Sequence, residues 1–361
     1  MDEINDTRQP KDFQYTTFGN FKRSDVKKEL NKSLQGSKIE TACYWCAEMI
    51  CSGYLEDLWD LLILFYSKFI HLGNVKLLLL LSKRLDYFKR IVLNLDSEFN
   101  VRNHSTCRVL FAELICVLCL SKKRNCLNPI EIRKETFDII EMKQILKATN
   151  MEFAKESFKK DEDSNDLMVP VNEFCYSLNV KDTLQCFYWI EWLLEYENRC
   201  LKKKETIKIA RRSEFCTTEK FQKDMAWLLW ECISKELEKV EKNKPFLVEI
   251  FKGTINLFQS NYNTVRGKKK KFLLFFFSSI LTEPFDISSN IIESTHHDII
   301  ENVKDNINSV YKQIKKNEVF KHVEYLQIQP SNFLEKEKGN KEKDNKEKDI
   351  INDYYRISSI L

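Results

Sequence analysis

The stretch SLQGSKIETACYW at residues 33–45 returns 144 positions later, at residues 177–189, as SLNVKDTLQCFYW. Ser, Leu and the Tyr-Trp pair keep the same register, with no gap. A Tyr-Trp segment that is apolar on nearly every face must be buried among other helices, so its double use predicts a scaffold built from a repeated helical unit. Around the first copy, Ser37 and Glu40 have the spacing of a capping box. Ile39, Ala42, Cys43, Cys46, Ala47 and Ile50 then follow a helix face, with Gly36 and Gly53 as stops on either side.

The rest of the chain supports an all-α reading. Only 7 Gly and 6 Pro occur in 361 residues, and both residue types punctuate strands and turns, so long helices with short connections are expected. An apolar fraction of 43% is enough for sizeable cores. Further helices are expected over about 24–34, 55–72, 74–93, 105–121, 138–149, 182–201, 217–241, 245–260, 268–281 and 295–316. The resulting organisation is a flexible segment at 1–22, a first helical subdomain at 23–124, a connecting region at 125–168 and a second subdomain at 169–330. A charged low-complexity tail at 331–361 closes the chain. Residues 335–349, EKEKGNKEKDNKEKD, hold no apolar side chain to offset the entropy of ordering and are expected to be disordered.

Charge and composition exclude several classes. A net charge of +4 selects neither nucleic acid nor an acidic membrane over the whole molecule. The start, MDEINDTRQPKDF, lacks the apolar core of a secretory signal, so the protein is expected to begin in the cytosol. The runs at 58–81 and 272–281 are too interrupted or too short to span a bilayer, which takes roughly 20 mostly apolar residues. The twelve Cys then read as reduced thiols that act as small apolar groups.

Cys43-Tyr-Trp-Cys46 and Cys116-Val-Leu-Cys119 match C-x-x-C, but both fall mid-helix and lack further ligands at a standard spacing, so core cysteines are expected. Asp161, Asp163 and Asn165 open like a calcium loop, yet the glycine position is Asp166 and the twelfth is Asn172, which leaves a solvated acidic loop. His296 and His297 are adjacent and so cannot share a helix face as a metal pair. No nucleophile elbow, zincin, dinucleotide or Walker A pattern occurs. No catalytic residue, metal or cofactor is therefore assigned.

Two basic segments remain as candidate nucleic-acid contacts. Lys202, Lys203, Lys204, Lys208, Arg211 and Arg212 stand against one acid, Glu205, while Arg266 with Lys268, Lys269, Lys270 and Lys271 precedes an apolar helix. Such clusters either neutralise phosphates or are solvated loop charges. Trp45, Trp59, Trp189, Trp227 and Trp230, with Trp192, are expected as core anchors. Glu48 and Glu191 are placed to pair with a cation of a neighbouring helix.

Taken together, residues 39–74 (IETACYWCAEMICSGYLEDLWDLLILFYSKFIHLGN), 109–123 (VLFAELICVLCLSKK), 171–179 (VNEFCYSLN), 185–197 (QCFYWIEWLLEYE) and 221–231 (FQKDMAWLLWE) carry a resemblance. They resemble a family of helical proteins of the nucleocytoplasmic large DNA viruses, over about residues 21–311. That resemblance implies a non-enzymatic viral scaffold or interaction protein in the host cytoplasm, at the virus factory, or in the virion, with other viral proteins as partners. It brings no active site. Residues 34–76 also resemble the helical collar domain of clamp-loader-type AAA+ proteins. This second resemblance implies a homo-oligomer, or an alternative role as a nucleic-acid-associated replication or transcription accessory factor without an ATPase motor.

Overall fold

The computed structural model describes residues 4, 6 and 8–315. The charged tail at 331–361, and with it residues 316–330 of the expected second subdomain, lies outside the described residues. Among the described residues the fold is all-α. Its regular helices are α1 (Arg23–Gln35), α2 (Ile39–Cys51), α3 (Leu55–Phe65), α4 (Leu77–Val92), α5 (Ser105–Leu120), α6 (Ile139–Lys143), α7 (Met168–Asn179), α8 (Thr183–Lys203), α9 (Met225–Glu238), α10 (Lys244–Gln259), α11 (Thr264–Lys269), α12 (Lys271–Thr282) and α13 (His297–Ile314). An isolated antiparallel bridge joins Thr16 to Lys22.

The repeated sequence forms one structure twice. In α1–α2 the Lys38 N–H donates to the Ser33 carbonyl at 3.0 Å and the Ser37 N–H to Leu34 at 3.3 Å. In α7–α8 the Asp182 N–H donates to Ser177 at 2.9 Å and the Lys181 N–H to Leu178 at 3.2 Å. These are the nested bonds of a Schellman motif, whose pivot residue sits in the left-handed region. Ser37 has φ 56° and Lys181 φ 60°. The next residues, Lys38 and Asp182, share φ −93° and ψ 89°. Before each turn, Ser33 and Ser177 donate their hydroxyls four residues back, to the carbonyls of Glu29 and Glu173. The capping box expected at Ser37 and Glu40 does not form, because Ser37 is the left-handed pivot and its hydroxyl donates to the Cys119 carbonyl at 2.7 Å. The residue flanking α2 is Lys38, which makes no side-chain cap. Gly36 has ordinary negative φ. Gly53, at φ 73°, closes α2 with the same pair of nested bonds.

The described chain divides into two compact units. Unit 1 holds its described residues up to 62, residues 84–121 and residues 292–315; unit 2 holds 63–83 and 122–291, so the division falls inside α3 and inside α4. These bounds differ from the sequence expectation: residues 63–83, expected in the first subdomain, fall in unit 2, and further segments change sides. Helix α13 packs most extensively on α5, in unit 1, because Ile300, Val303, Ile307, Val310 and Tyr311 form one apolar stripe that is buried there. The segment expected as a connector is part of unit 2, where Ala154, Asp163 and Leu167 are buried.

Unit 1 also absorbs the lead-in expected to be loose. Phe13 and Phe18 are buried, and the Tyr54 hydroxyl donates to the carbonyls of Phe13 and Thr16. Arg8 pairs with Asp6 at 2.6 Å while its guanidinium lies 4.7 Å from the Phe13 ring centroid. The core of this unit joins α1, α2, α5 and α13. Trp59 sits against Phe88 and Phe111, with ring centroids 5.6 and 5.4 Å away.

In unit 2, α12 (KFLLFFFSSILT) is buried on all faces and packs on α8, α9 and α10. Phe187 stacks on Phe275 at 4.2 Å, and Trp230 meets Phe251, Phe258 and Phe277. Helix α3 runs into a π-helical turn, Tyr66–Ile70, followed by His71 at φ 47°. The next turn approaches the Lys122 carbonyl so closely at Gly73 that any β-carbon there would collide with it. Among the described residues no helix is long and apolar enough to cross a membrane, and the apolar runs at 58–81 and 272–281 belong to buried helices.

Candidate functional site

Both basic segments lie in unit 2, and the structure sorts their residues into two classes. Arg212 is buried, and every guanidinium nitrogen is engaged. Its Nη1 and Nη2 donate to Asp163 at 2.9 and 2.8 Å, Nε to Glu231 at 2.7 Å, and the remaining bonds reach the Ala210 and Ser157 carbonyls. Burial by itself would raise the Asp163 carboxyl. The Arg212 pair and the Ala210 and Lys159 N–H groups overcome that cost and hold it below the usual carboxylate range. The expected solvated acidic loop is thus corrected at Asp163, and at Arg212 the side chain is neither a solvated loop charge nor open to a phosphate. A buried cation with a satisfied partner has no donor left for a ligand.

Lys270 is likewise buried, its ammonium donating to the carbonyls of Leu257 and Ser260. Lys271 pairs with Glu191 at 2.6 Å, and Lys268 pairs with Glu197 at 3.1 Å and bonds Asn198. Lys271, Lys268 and Lys270 act as ties inside unit 2. Lys202, Lys203, Lys204, Lys208, Arg211 and Lys269 are exposed, and Arg266 is half-buried. Of these, Lys203 pairs with Glu205 at 3.6 Å and Arg211 with Glu219 at 2.8 Å.

The internal ties lay the second segment along the part of α8 that leads into the first. Going from Lys271 back to Lys268 on one strand of the chain corresponds to going from Glu191 forward to Asn198 on α8, an antiparallel course. The same place is fastened to the start of α9. The Met225 N–H donates to Glu197 at 2.9 Å, and Asp224 accepts from the Tyr262 and Thr264 hydroxyls at 3.0 and 2.9 Å. Burial raises the Asp224 carboxyl, against the pull of the Thr264 bond, and raises the Tyr262 hydroxyl as well. The end of α8, the start of α9 and the start of α11 therefore meet at one knot.

The indole side chains of Trp45, Trp59, Trp189, Trp192, Trp227 and Trp230 are all buried. Glu48 pairs with Lys315 in unit 1 and also accepts from the Gly19 N–H. Burial works against the Lys315 charge, but Glu48 outweighs it and holds the ammonium above its ordinary value.

Sequence spacing treated the two C-x-x-C segments separately, whereas α2 and α5 pack together and bring them face to face. The hydrogen bond between Cys43 and Cys116, together with burial, raises the Cys43 thiol, with Cys46 and Cys119 close by. Unit 2 has a counterpart, where Cys175 is raised by its bond with Cys232 and by burial. No three His, Cys, Asp or Glu side chains among the described residues converge as a metal site. All twelve thiols are buried, and burial pushes Cys51, Cys107 and Cys126 up to about 12, the reverse of what a reactive thiolate needs.

One open groove of about 550 Å³ lies in unit 1, lined by Ser37, Ile39 and Glu40 beside Asp298, Ile299, Asn302 and Val303. Comparison with known protein families, with curated proteins and with solved structures finds no match.

Proposed function

We propose that this protein is a non-enzymatic helical scaffold that holds other proteins together, encoded by a large DNA virus and working in the virus factory or the virion. The observation that carries this reading is the use made of its ionic side chains. Arg212 with Asp163 and Glu231, Lys315 with Glu48, Lys268 with Glu197 and Lys271 with Glu191 all join one helix or loop to another. Groups that elsewhere perform acid–base or nucleophilic chemistry are spent here on holding helices, and the thiols are packed as apolar matter. A rigid arrangement of this kind suits presenting surface to partners. The viral setting is supported by the resemblance of the helical segments to the large-DNA-virus family.

The test is purification of the tagged full-length chain from infected cells with and without nuclease, followed by reconstitution with the recovered proteins. The proposal expects viral proteins that persist after nuclease and form complexes of fixed stoichiometry by light scattering. Partners that vanish on nuclease treatment would favour the replication or transcription accessory role instead.

A further inference from the structure

The knot in unit 2 exposes two aliphatic side chains among lysines. Leu201 is 59% exposed and Val265 66% exposed. Leu201 lies one turn beyond Glu197 and Asn198 on the same face of α8, and Val265 lies one turn before Lys268 on α11, so both continue the seam that Lys268 bridges. Around them Lys202 and Lys204 at the end of α8, Lys223 before α9 and Lys269 in α11 are exposed. Lys203 is exposed at the same end of α8 but lies 3.6 Å from the exposed Glu205.

We propose that this surface seats the protein on an anionic lipid membrane, with Leu201 and Val265 entering the headgroup boundary and the four lysines meeting the lipid charge. The pairing of chemistries decides between occupants. Lysines alone suit any polyanion, but exposed aliphatic side chains gain nothing from a phosphodiester backbone and cannot stack on bases. The aromatic rings nearest the knot, Phe221 and Tyr262, are half-buried and packed edge to face on each other at 5.6 Å, which leaves them unavailable for stacking on bases. An anionic bilayer surface supplies both complements at once, an apolar layer under a negative one. This membrane contact is peripheral and independent of the scaffold reading, so its failure would leave protein partners untouched.

The experiment is flotation of the full chain with vesicles of phosphatidylcholine alone or with about a quarter phosphatidylserine, beside anisotropy with a duplex and a single-stranded DNA. Two variants are compared with wild type, Lys202→Glu/Lys204→Glu/Lys269→Glu and Leu201→Ser/Val265→Ser, with unchanged melting temperature and helical circular dichroism as the control for folding. The expected result is binding that requires phosphatidylserine and falls by about tenfold or more in each variant. Absence of binding to the anionic vesicles overturns the proposal. So does vesicle binding that both variants retain, or an aliphatic variant that binds as wild type while the charge variant loses DNA.

Discussion

The α1–α2 and α7–α8 hairpins share a turn down to the backbone angles, yet they are held in different ways. In unit 1 the pivot is Ser37, whose hydroxyl reaches the Cys119 carbonyl, and the helix after it carries a fully buried ion pair, Glu48 with Lys315. In unit 2 the pivot is an exposed lysine, Lys181, and the Asp182 side chain caps the next helix through the Gln185 N–H at 3.1 Å. Its second helix carries an ion pair at a position one residue out of register with Glu48, Glu191 with Lys271, and that pair is partly open to solvent. The turn is therefore a property of the backbone bonds and of buried leucines Leu34 and Leu178, while the side chains that surround it are free to differ. A duplicated element can keep its geometry and still be fastened by new contacts.

The tryptophans carry the largest expected effects. Trp189 has no exposed surface, whereas Trp45 is 4% exposed and meets Phe21 edge-on. Each Trp→Ala change should cost about 3–5 kcal/mol, with Trp189→Ala at the upper end because its site has less room to collapse. Denaturant unfolding of the two variants measures the difference, and a milder Trp189→Ala would reverse the ranking of the two interiors.

The ion pairs sharpen the contrast. Lys315→Ala leaves Glu48 charged and enclosed, which should cost about 3–5 kcal/mol, whereas Glu48→Leu/Lys315→Met should recover most of that loss. At the second hairpin the partner of Glu191 is Lys271 of α12, and Lys271→Ala should cost less, about 2 kcal/mol, since that pair is only partly open to solvent. Equal costs in chemical denaturation would show that the two fastenings are alike after all.

Acid should weaken unit 2 through His71. Burial, with a smaller contribution from Arg124, lowers its folded pKa to about 3, below the unfolded value. The stability it protects is complete above the unfolded pKa of about 6.5 and is lost as the pH falls from there toward the folded value, because the unfolded chain takes up a proton that the folded chain refuses. The expected slope is at most about 1.4 kcal/mol per pH unit, over about pH 6.5 to 4, and it should flatten in His71→Gln. Buried carboxylates such as Asp163, held low by Arg212 against the cost of burial, add the same sign of loss only at lower pH.

The smallest effect concerns the pivots. Lys181→Gly removes a left-handed non-glycine residue and should gain up to about 1 kcal/mol, while Ser37→Gly should gain less because the Cys119 bond is lost with it. Thermal melts of the two single variants would show the order.

Much of this fold was legible because helical periodicity is local. The positions of α2, α5, α8, α10 and α13 follow from apolar spacing alone, and the repeat was visible without any structure. What stayed hidden depends on distant partners. Nothing near Arg212 announces Asp163, 49 residues earlier, so a cation buried in a triad looked like a free one. The assignment of α13 to unit 1 rests on where its stripe finds a mate, which spacing does not encode. Ser37 misled for a different reason: its S-x-x-E pattern is real, but the turn needed that residue as its left-handed pivot.

The most direct test of the duplicated hairpin is to exchange its turn, replacing Gly36-Ser37-Lys38 by the Val-Lys-Asp of residues 180–182. A side chain at Gly36 meets its neighbours at ordinary contact distances, the nearest at 3.4 Å, so the graft is sterically open. The grafted protein is expected to unfold cooperatively within about 1 kcal/mol of the wild type, the loss of the Ser37 hydroxyl bond being the main change. A graft that fails to fold, or that loses more than about 3 kcal/mol, would contradict the claim that the two turns are one element used twice.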